Sequence, residues 1–326
     1  MVSKIFYYGK IFVLALISIL IFIACHSQFT QVHKLPQEKL VSSECRIFEH
    51  TLGTSCIPLK PKRIIVTDDV SLEILLALNV KPIAAPEPSY VANKASLFGS
   101  RMEGIKSLGK ISNLSIEKMI QLHPDLIVGL YGVTAENYQL FSRIAPTVNL
   151  KFVHKEWKQT LINFSKILGA EEQAEQQLTN YQRRVKQLQA ALGDKINRLE
   201  TSVTRVHGLQ LIEFRSQYSF PGSILQEIGF SPPLAQRKLI KSSDDTLMII
   251  SPEKFDLLDA DYLFVAVDPA ATQLFHRYKN SNLWKSLQVA QNKRVYTVDS
   301  SYWIFGNILS ANAILDDLFK YLLVKA

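Results

Sequence analysis

One segment of this chain occurs twice, and that recurrence limits the folds open to it more than any other feature. SIEKMIQLHPDLIV begins at Ser115 and SPEKFDLLDADYLFV at Ser251, 136 positions further on. Laid over each other without a gap, Ser115, Glu117, Lys118, Leu122 and Asp125 meet Ser251, Glu253, Lys254, Leu258 and Asp261. Each copy reads as a helix, a turn and a short apolar strand. The serine stands where a side-chain oxygen caps a helix, and the glutamate falls in the first turn, where the dipole favours an acid. Each aspartate closes the connection before the strand. One unit built twice implies two lobes of similar construction.

Residues ahead of the first copy extend the pattern. KRIIVTDD (Lys62–Asp69) is short and β-branched, a buried strand. SLEILLALNV follows with helical spacing through Leu72, Leu75, Leu76 and Val80, and KPIAAP is a second strand. Alternating strands and helices specify an α/β lobe with a mainly parallel sheet. Between the two copies, Ala174, Leu178, Tyr181, Val185, Leu188 and Leu192 recur at intervals of four and three. That is one long helix with a single apolar stripe, too short for a sustained coiled coil. The expected fold class is α/β: two lobes with mainly parallel sheets joined by one long helix. A stiff rod between lobes permits little opening.

The N-terminus narrows the compartment. Lys4 and Lys10 precede an apolar run from Ile11 to Ala24, broken only by Ser18. A spanning helix needs roughly 20 apolar residues, so this run is short for an anchor and has the layout of a secretory leader. Phe22-Ile23-Ala24-Cys25 resembles a bacterial lipobox, which makes Cys25 the lipidated first residue of the mature chain. Residues 26–44 are polar and aperiodic, a tether. In an oxidising space the two remaining cysteines, Cys45 and Cys56, form a natural pair worth about 2–3 kcal/mol. With His50 they supply too few ligands for structural zinc. The expected division is a leader over residues 1–24, a tether with disulfide over 25–57, a first lobe over 58–165, a connecting helix over 166–198 and a second lobe over 199–326.

Charge and motifs exclude several classes. The chain carries 37 Lys and Arg against 29 Asp and Glu without a dense basic run, which suits small anionic ligands or plain solubility rather than nucleic acid. GSRMEGIKS, from Gly99, is one residue out of register for a phosphate loop, because Ile105 separates Gly104 from Lys106. No G-x-S-x-G elbow is present, and no two of the seven histidines lie within four residues of each other.

From about Arg46 onward the chain resembles the substrate-binding lipoproteins of bacterial ABC importers for ferric siderophores and vitamin B12, the class in which one helix joins two lobes. HTLGTSCIPLKPKRIIV, SLEILLALNVKPIAA, SIEKMIQLHPDLIVG, FSRIAPTV and SPEKFDLLDADYLFV stand in the family's order. The most specific stretch contains YWIFG followed by LSA, similar to the ferrichrome and ferric-dicitrate branch. Asn79 replaces the family's usual helix-ending glycine, and asparagine tolerates the same left-handed turn.

The resemblance implies a receptor that captures a ferric siderophore of hydroxamate or citrate type between its lobes and delivers it to a permease with its ATPase. It implies no catalysis and no cofactor, since the iron arrives already caged. The location implied is the periplasmic face of the cytoplasmic membrane, or the cell surface, through a lipid anchor. Corrinoid or haem is the alternative ligand, and an envelope hydrolase using the same cleft is the alternative class. Candidate ligand contacts are Tyr131 with Gly132, Trp303, Arg215, Tyr218, and Tyr90 and Arg101 beside the loop after KPIAAP, with Phe220 nearby. Tyrosine offers a ring face and a hydroxyl, and arginine a bidentate fork for carboxylate or hydroxamate oxygens. Glu73 and Glu227 are the expected acids for docking on the permease.

Overall fold

A computed structural model describes residues 45–87 and 95–323. The leader, the tether and Cys25 lie outside the described residues. The described chain opens with an antiparallel hairpin, β1 (Cys45–His50) and β2 (Gly53–Pro58), closed by the expected Cys45–Cys56 disulfide, with Cα atoms 5.5 Å apart. Arg46 docks the hairpin by donating to the carbonyl of Ile167 at 2.7 Å and to that of Lys166. These carbonyls belong to the last turn of a helix, where helical partners run out.

The first sheet has the order β5-β4-β3-β6-β7 and is parallel throughout: β3 (Ile64–Val66), β4 (Ala84–Ala85), β5 (Lys106–Ser107), β6 (Leu126–Gly129) and β7 (Thr147–Asn149). Helix α1 (Asp69–Ala77) follows β3 and is buried on all sides from Val70 to Ala77. Its end is turned by Asn79 in the left-handed region, at φ 59°, as the sequence predicts.

Two helices then carry the chain across. Helix α2 (Trp157–Leu168) ends at Gly169, whose φ of 66° is left-handed, and α3 (Glu171–Leu192) runs to Gly193. The rod is therefore shorter than the expected 166–198, because Gly169 closes one helix rather than opening the next. Its buried stripe is Ala174, Tyr181, Val185 and Leu188, four of the six predicted positions.

The second sheet has the same order, β10-β9-β8-β11-β12: β8 (Thr201–Val206), β9 (Ile212–Arg215), β10 (Leu247–Ile250), β11 (Tyr262–Val267) and β12 (Val295–Asp299). Strands β8, β11 and β12 are parallel, and β9 runs against both β8 and β10. The reversal follows from the connection. Five residues, 207–211, join β8 to β9, far fewer than a parallel crossover needs. Helix α4 (Phe220–Ile228) and the C-terminal α5 (Ile308–Leu323) complete the core elements.

The repeated segment builds β6 in one sheet and β11 in the other, each beside the first strand of its lobe. Its aspartates do the same work in both. Asp125 accepts from the backbone N–H of Lys62 and Arg63 at 2.7 and 2.9 Å, and Asp261 accepts from that of Glu200 at 2.8 Å. Each thus pins the chain as it enters the first strand. The serines differ. Ser115 caps its helix through Lys118 N–H at 3.3 Å, whereas Ser251 makes no such bond and the segment Pro252–Leu258 winds as 3-10 helix.

One apolar core runs through both lobes, joining Ile64, Leu72 and Leu126 to Trp157, Tyr181 and Val185 and on to Phe220, Phe264 and Ile314. Separate clusters cover the outer faces of the two sheets. Among the described residues no helix is long and apolar enough to cross a membrane.

Candidate ligand-binding cleft

In both sheets the strand order reverses between the first and fourth strands, β3 with β6 and β8 with β11. Diverging connections at such a point leave a crevice outside the carboxyl ends of the strands. In the first lobe it is edged by Thr67, Asp68 and Asp69 after β3 and by Leu130 and Tyr131 after β6. Asp68, fully buried, ties the two loops by accepting from Ser71 N–H at 2.8 Å and Leu130 N–H at 2.7 Å. Burial raises its carboxyl to about 6 against the pull of those two bonds. A Cβ on Gly132 would lie 2.0 Å from the Thr67 carbonyl oxygen, so this loop packing requires glycine. Tyr131 stands at the rim, 41% exposed, with its hydroxyl donating to Asp69.

From Tyr131 a band of rings leads to the second lobe. Centroids are 5.5 Å apart for Tyr131 and Phe152, 4.7 Å for Phe152 and His154, and 5.4 Å for His154 and Phe305. Phe305 in turn lies over two guanidiniums, with the central carbon of Arg215 at 5.3 Å and of Arg205 at 5.9 Å. Arg205 stands one residue before the end of β8 and Asp268 follows β11, so the two meet at the second crevice in a two-bonded pair, both contacts 2.9 Å. Arg215 is ion-paired with Glu213, whose other oxygen is 2.8 Å from His207 Nε2. Arg205, Glu213 and Arg215 share one face of the sheet, because Arg205 lies opposite Glu213 and side chains alternate along β9.

Burial lowers Arg215 to about 10, leaving it charged at neutral pH. Burial also acts on Glu213, but His207 and Arg215 outweigh it and hold that carboxyl below its usual value. His154 is lowered to about 4 by burial and by the charge of Arg215, so it is neutral. Neither Nε nor Nη1 of Arg215, nor Nδ1 of His154, has a hydrogen-bond partner. Among the described residues no group of three or more His, Cys, Asp or Glu is placed to hold a metal ion.

The structure joins Tyr131 and Arg215 through this band. Tyr218, half-buried, lies beside it under Lys155, whose Nζ is 5.4 Å from the ring. The other candidates fall elsewhere. Trp303 is wholly buried, stacked on Phe264 at 4.8 Å with Nε1 donating to Asp317 at 2.7 Å, so it presents no surface to the cleft. Phe220 is likewise buried. Arg101 turns back on its own segment, donating to Phe98 and Leu97 carbonyls, both at 3.2 Å. Tyr90 lies outside the described residues.

Of the two expected docking acids, Glu73 is buried and Glu227 is partly exposed. Glu73 is 0% exposed. It accepts from Asn307 N–H, Ser310 N–H and the Ser310 hydroxyl, each at 2.8 Å, which binds α1 of the first lobe to the start of α5. Glu227 receives Lys158 Nζ at 2.5 Å and the Tyr181 hydroxyl at 3.0 Å, which binds α4 to α2 and α3. Both acids hold the lobes together.

Phe152, His154, Arg205, Glu213, Asp268 and Phe305 were not anticipated. The repeat itself points to Asp268, which falls 136 positions after Gly132 in the loop following the equivalent strand.

Two α/β lobes sharing one core, meeting along a line of rings and buried guanidiniums at their strand ends, make up a two-lobed solute-binding protein. The chain belongs to the periplasmic binding protein family, whose model matches residues 64–302. It is 30% identical to the probable siderophore-binding lipoprotein YfiY of Bacillus subtilis, over 94% of this chain and 96% of that protein. It is 26% identical to the Fe(3+)-citrate-binding protein YfmC of the same organism, over 86% and 87%. Among solved structures it is similar to Staphylococcus aureus SirA complexed with staphyloferrin B, with a TM-score of 0.75 and 26% identity, covering 86% of this chain and 99% of that one.

Proposed function

We propose that this chain is the substrate-binding component of an ABC importer, capturing a ferric siderophore of hydroxamate or citrate type in the interlobe cleft and delivering it to a permease and its ATPase. The observation that carries the reading is the band from Tyr131 to Arg215, which joins apolar ring faces to a buried charged donor with nitrogens to spare. A caged iron needs ring faces for its organic shell and donors for its oxygens. Tyr131, Phe152 and Phe305 supply the faces and Arg215 the donors. The relatives named for siderophore and ferric citrate support the ligand class.

The protein's work here is binding and transfer, with no covalent step and no resident cofactor. The common core and the Glu73 and Glu227 bridges keep lobe motion small. Lipidation at Cys25 holds the chain on the outer side of the cytoplasmic membrane. The test is calorimetric titration of the full chain with ferric citrate, a ferric trihydroxamate, a corrinoid and haem. Binding of either ferric chelate is expected. Binding of only the corrinoid or haem refutes the ligand class, and turnover of ester substrates refutes the reading altogether.

A further inference from the structure

We propose that Phe305 is a shutter over the guanidinium pair, and that loading the cleft requires this one side chain to turn aside. The inference rests on the ligand-binding reading above and adds the residue that controls entry. Arg215 is 2% exposed, and its Nε and Nη1 meet no acceptor. Glu213 pairs the charge through one nitrogen, but the buried charged N–H groups left without an acceptor remain costly. The ring of Phe305, 5.3 Å away, compensates the charge in part, yet a ring face accepts no directed hydrogen bond from a forked donor. On the first-lobe side of the same ring stands His154, 5.4 Å away, with Nδ1 equally unpartnered. Phe305 thus lies against two sets of unfulfilled polar atoms, one from each lobe. An anionic, acceptor-rich oxygen group taking the ring's place satisfies Arg215 and comes within reach of His154.

Behind Arg215, Thr201 and Gln217 help line a cavity of about 10 Å³, which is room for one water at most. The backbone around Phe305 is fixed. Trp303, Ile304 and Asn307 are fully buried. A Cβ on Gly306 would stand 2.2 Å from Ser310, and Asn307 is held by Glu73 and by the Trp157 carbonyl. Phe305 alone in this stretch is half-buried. The motion left to it is rotation about its own side-chain bonds, a fast local event rather than a lobe movement.

The test is stopped-flow mixing of the full chain with ferric citrate, and with a ferric trihydroxamate as a second probe, so that association and dissociation rates are read separately. When the competing closed state is removed, the apparent association rate rises by the reciprocal of the open fraction. Phe305→Ala is expected to bind ferric citrate about tenfold faster than the parent, and Phe305→Leu, which keeps part of the packing volume, to fall between them. Adding Arg215→Ala to Phe305→Ala is expected to abolish the gain. Association by Phe305→Ala and Phe305→Leu within twofold of the parent, with binding intact, overturns the shutter and leaves the ligand-binding reading standing. Failure of the parent to bind either chelate overturns that reading and the shutter together.

Discussion

Replacing Glu73 with alanine tests how the lobes are joined. The carboxylate accepts three bonds of 2.8 Å from Asn307 N–H, Ser310 N–H and the Ser310 hydroxyl, and Glu73, Asn307 and Ser310 are all 0% exposed. Truncation leaves three buried donors without an acceptor, each costing about 1–3 kcal/mol, although the hydroxyl can turn to its own helix. It also removes an acid from the amino end of α5, where the dipole favours one. The sum expected for Glu73→Ala is about 4 kcal/mol. Glu73→Gln keeps an oxygen for the two backbone donors, and its amide can donate to the Ser310 hydroxyl, so about 1–2 kcal/mol is expected. Urea unfolding followed by far-ultraviolet circular dichroism measures both through the midpoint, with the slope unchanged. A Glu73→Ala midpoint within about 1 kcal/mol of the parent refutes the claim that this contact holds the lobes.

Three further outcomes are expected. Gly132→Ala places a Cβ 2.0 Å from the Thr67 carbonyl and should cost about 2–3 kcal/mol by thermal melting, because backbone must shift. Mutation of both Cys45 and Cys56 to alanine should cost about 2–3 kcal/mol, and reductant should lower the parent's melting temperature but not the variant's. His154 has a folded value of about 4 against 6.5 when free, so the folded protein binds fewer protons between those limits. Its contribution is fully present above pH 6.5 and lost as pH falls towards 4. Asp68, raised to about 6, acts with the opposite sign over nearly the same window, so the parent's own pH slope is muted. The stability of parent minus His154→Phe isolates the histidine, and it should fall by on the order of 2–3 kcal/mol between pH 6.5 and 4.

The fold was legible where its causes are local. The paired helix–strand units and the left-handed Asn79 follow from residues within a few positions of each other, whereas the aspartate clamps reach some sixty positions back along the chain. The stripe of α3 was equally plain, because a helix covered on one side advertises its buried face. Helix α1 gives no such signal. It is buried all round, so nothing in its spacing marks Glu73 as inside, and the partners lie more than 230 positions away. Trp303 failed for a related reason. A motif places an aromatic near a cleft without saying which side of the backbone it takes, and Asp317, more than two turns into α5, draws the indole inward. Nothing local in β8 and β9 marks Arg205 and Glu213 as buried, because Asp268 and His207 become their partners only when the sheet brings them together.

The hairpin has a mechanical consequence. Any tension on the chain ahead of Cys45 enters at the first rung of the β1–β2 ladder, the geometry in which antiparallel strands unzip one rung at a time. Cys45 is that rung, and its covalent link to Cys56 arrests the peeling before it starts. The pull crosses that link into Cys56 and on into β2, leaving the enclosed loop and the Arg46 contacts to α2 unloaded.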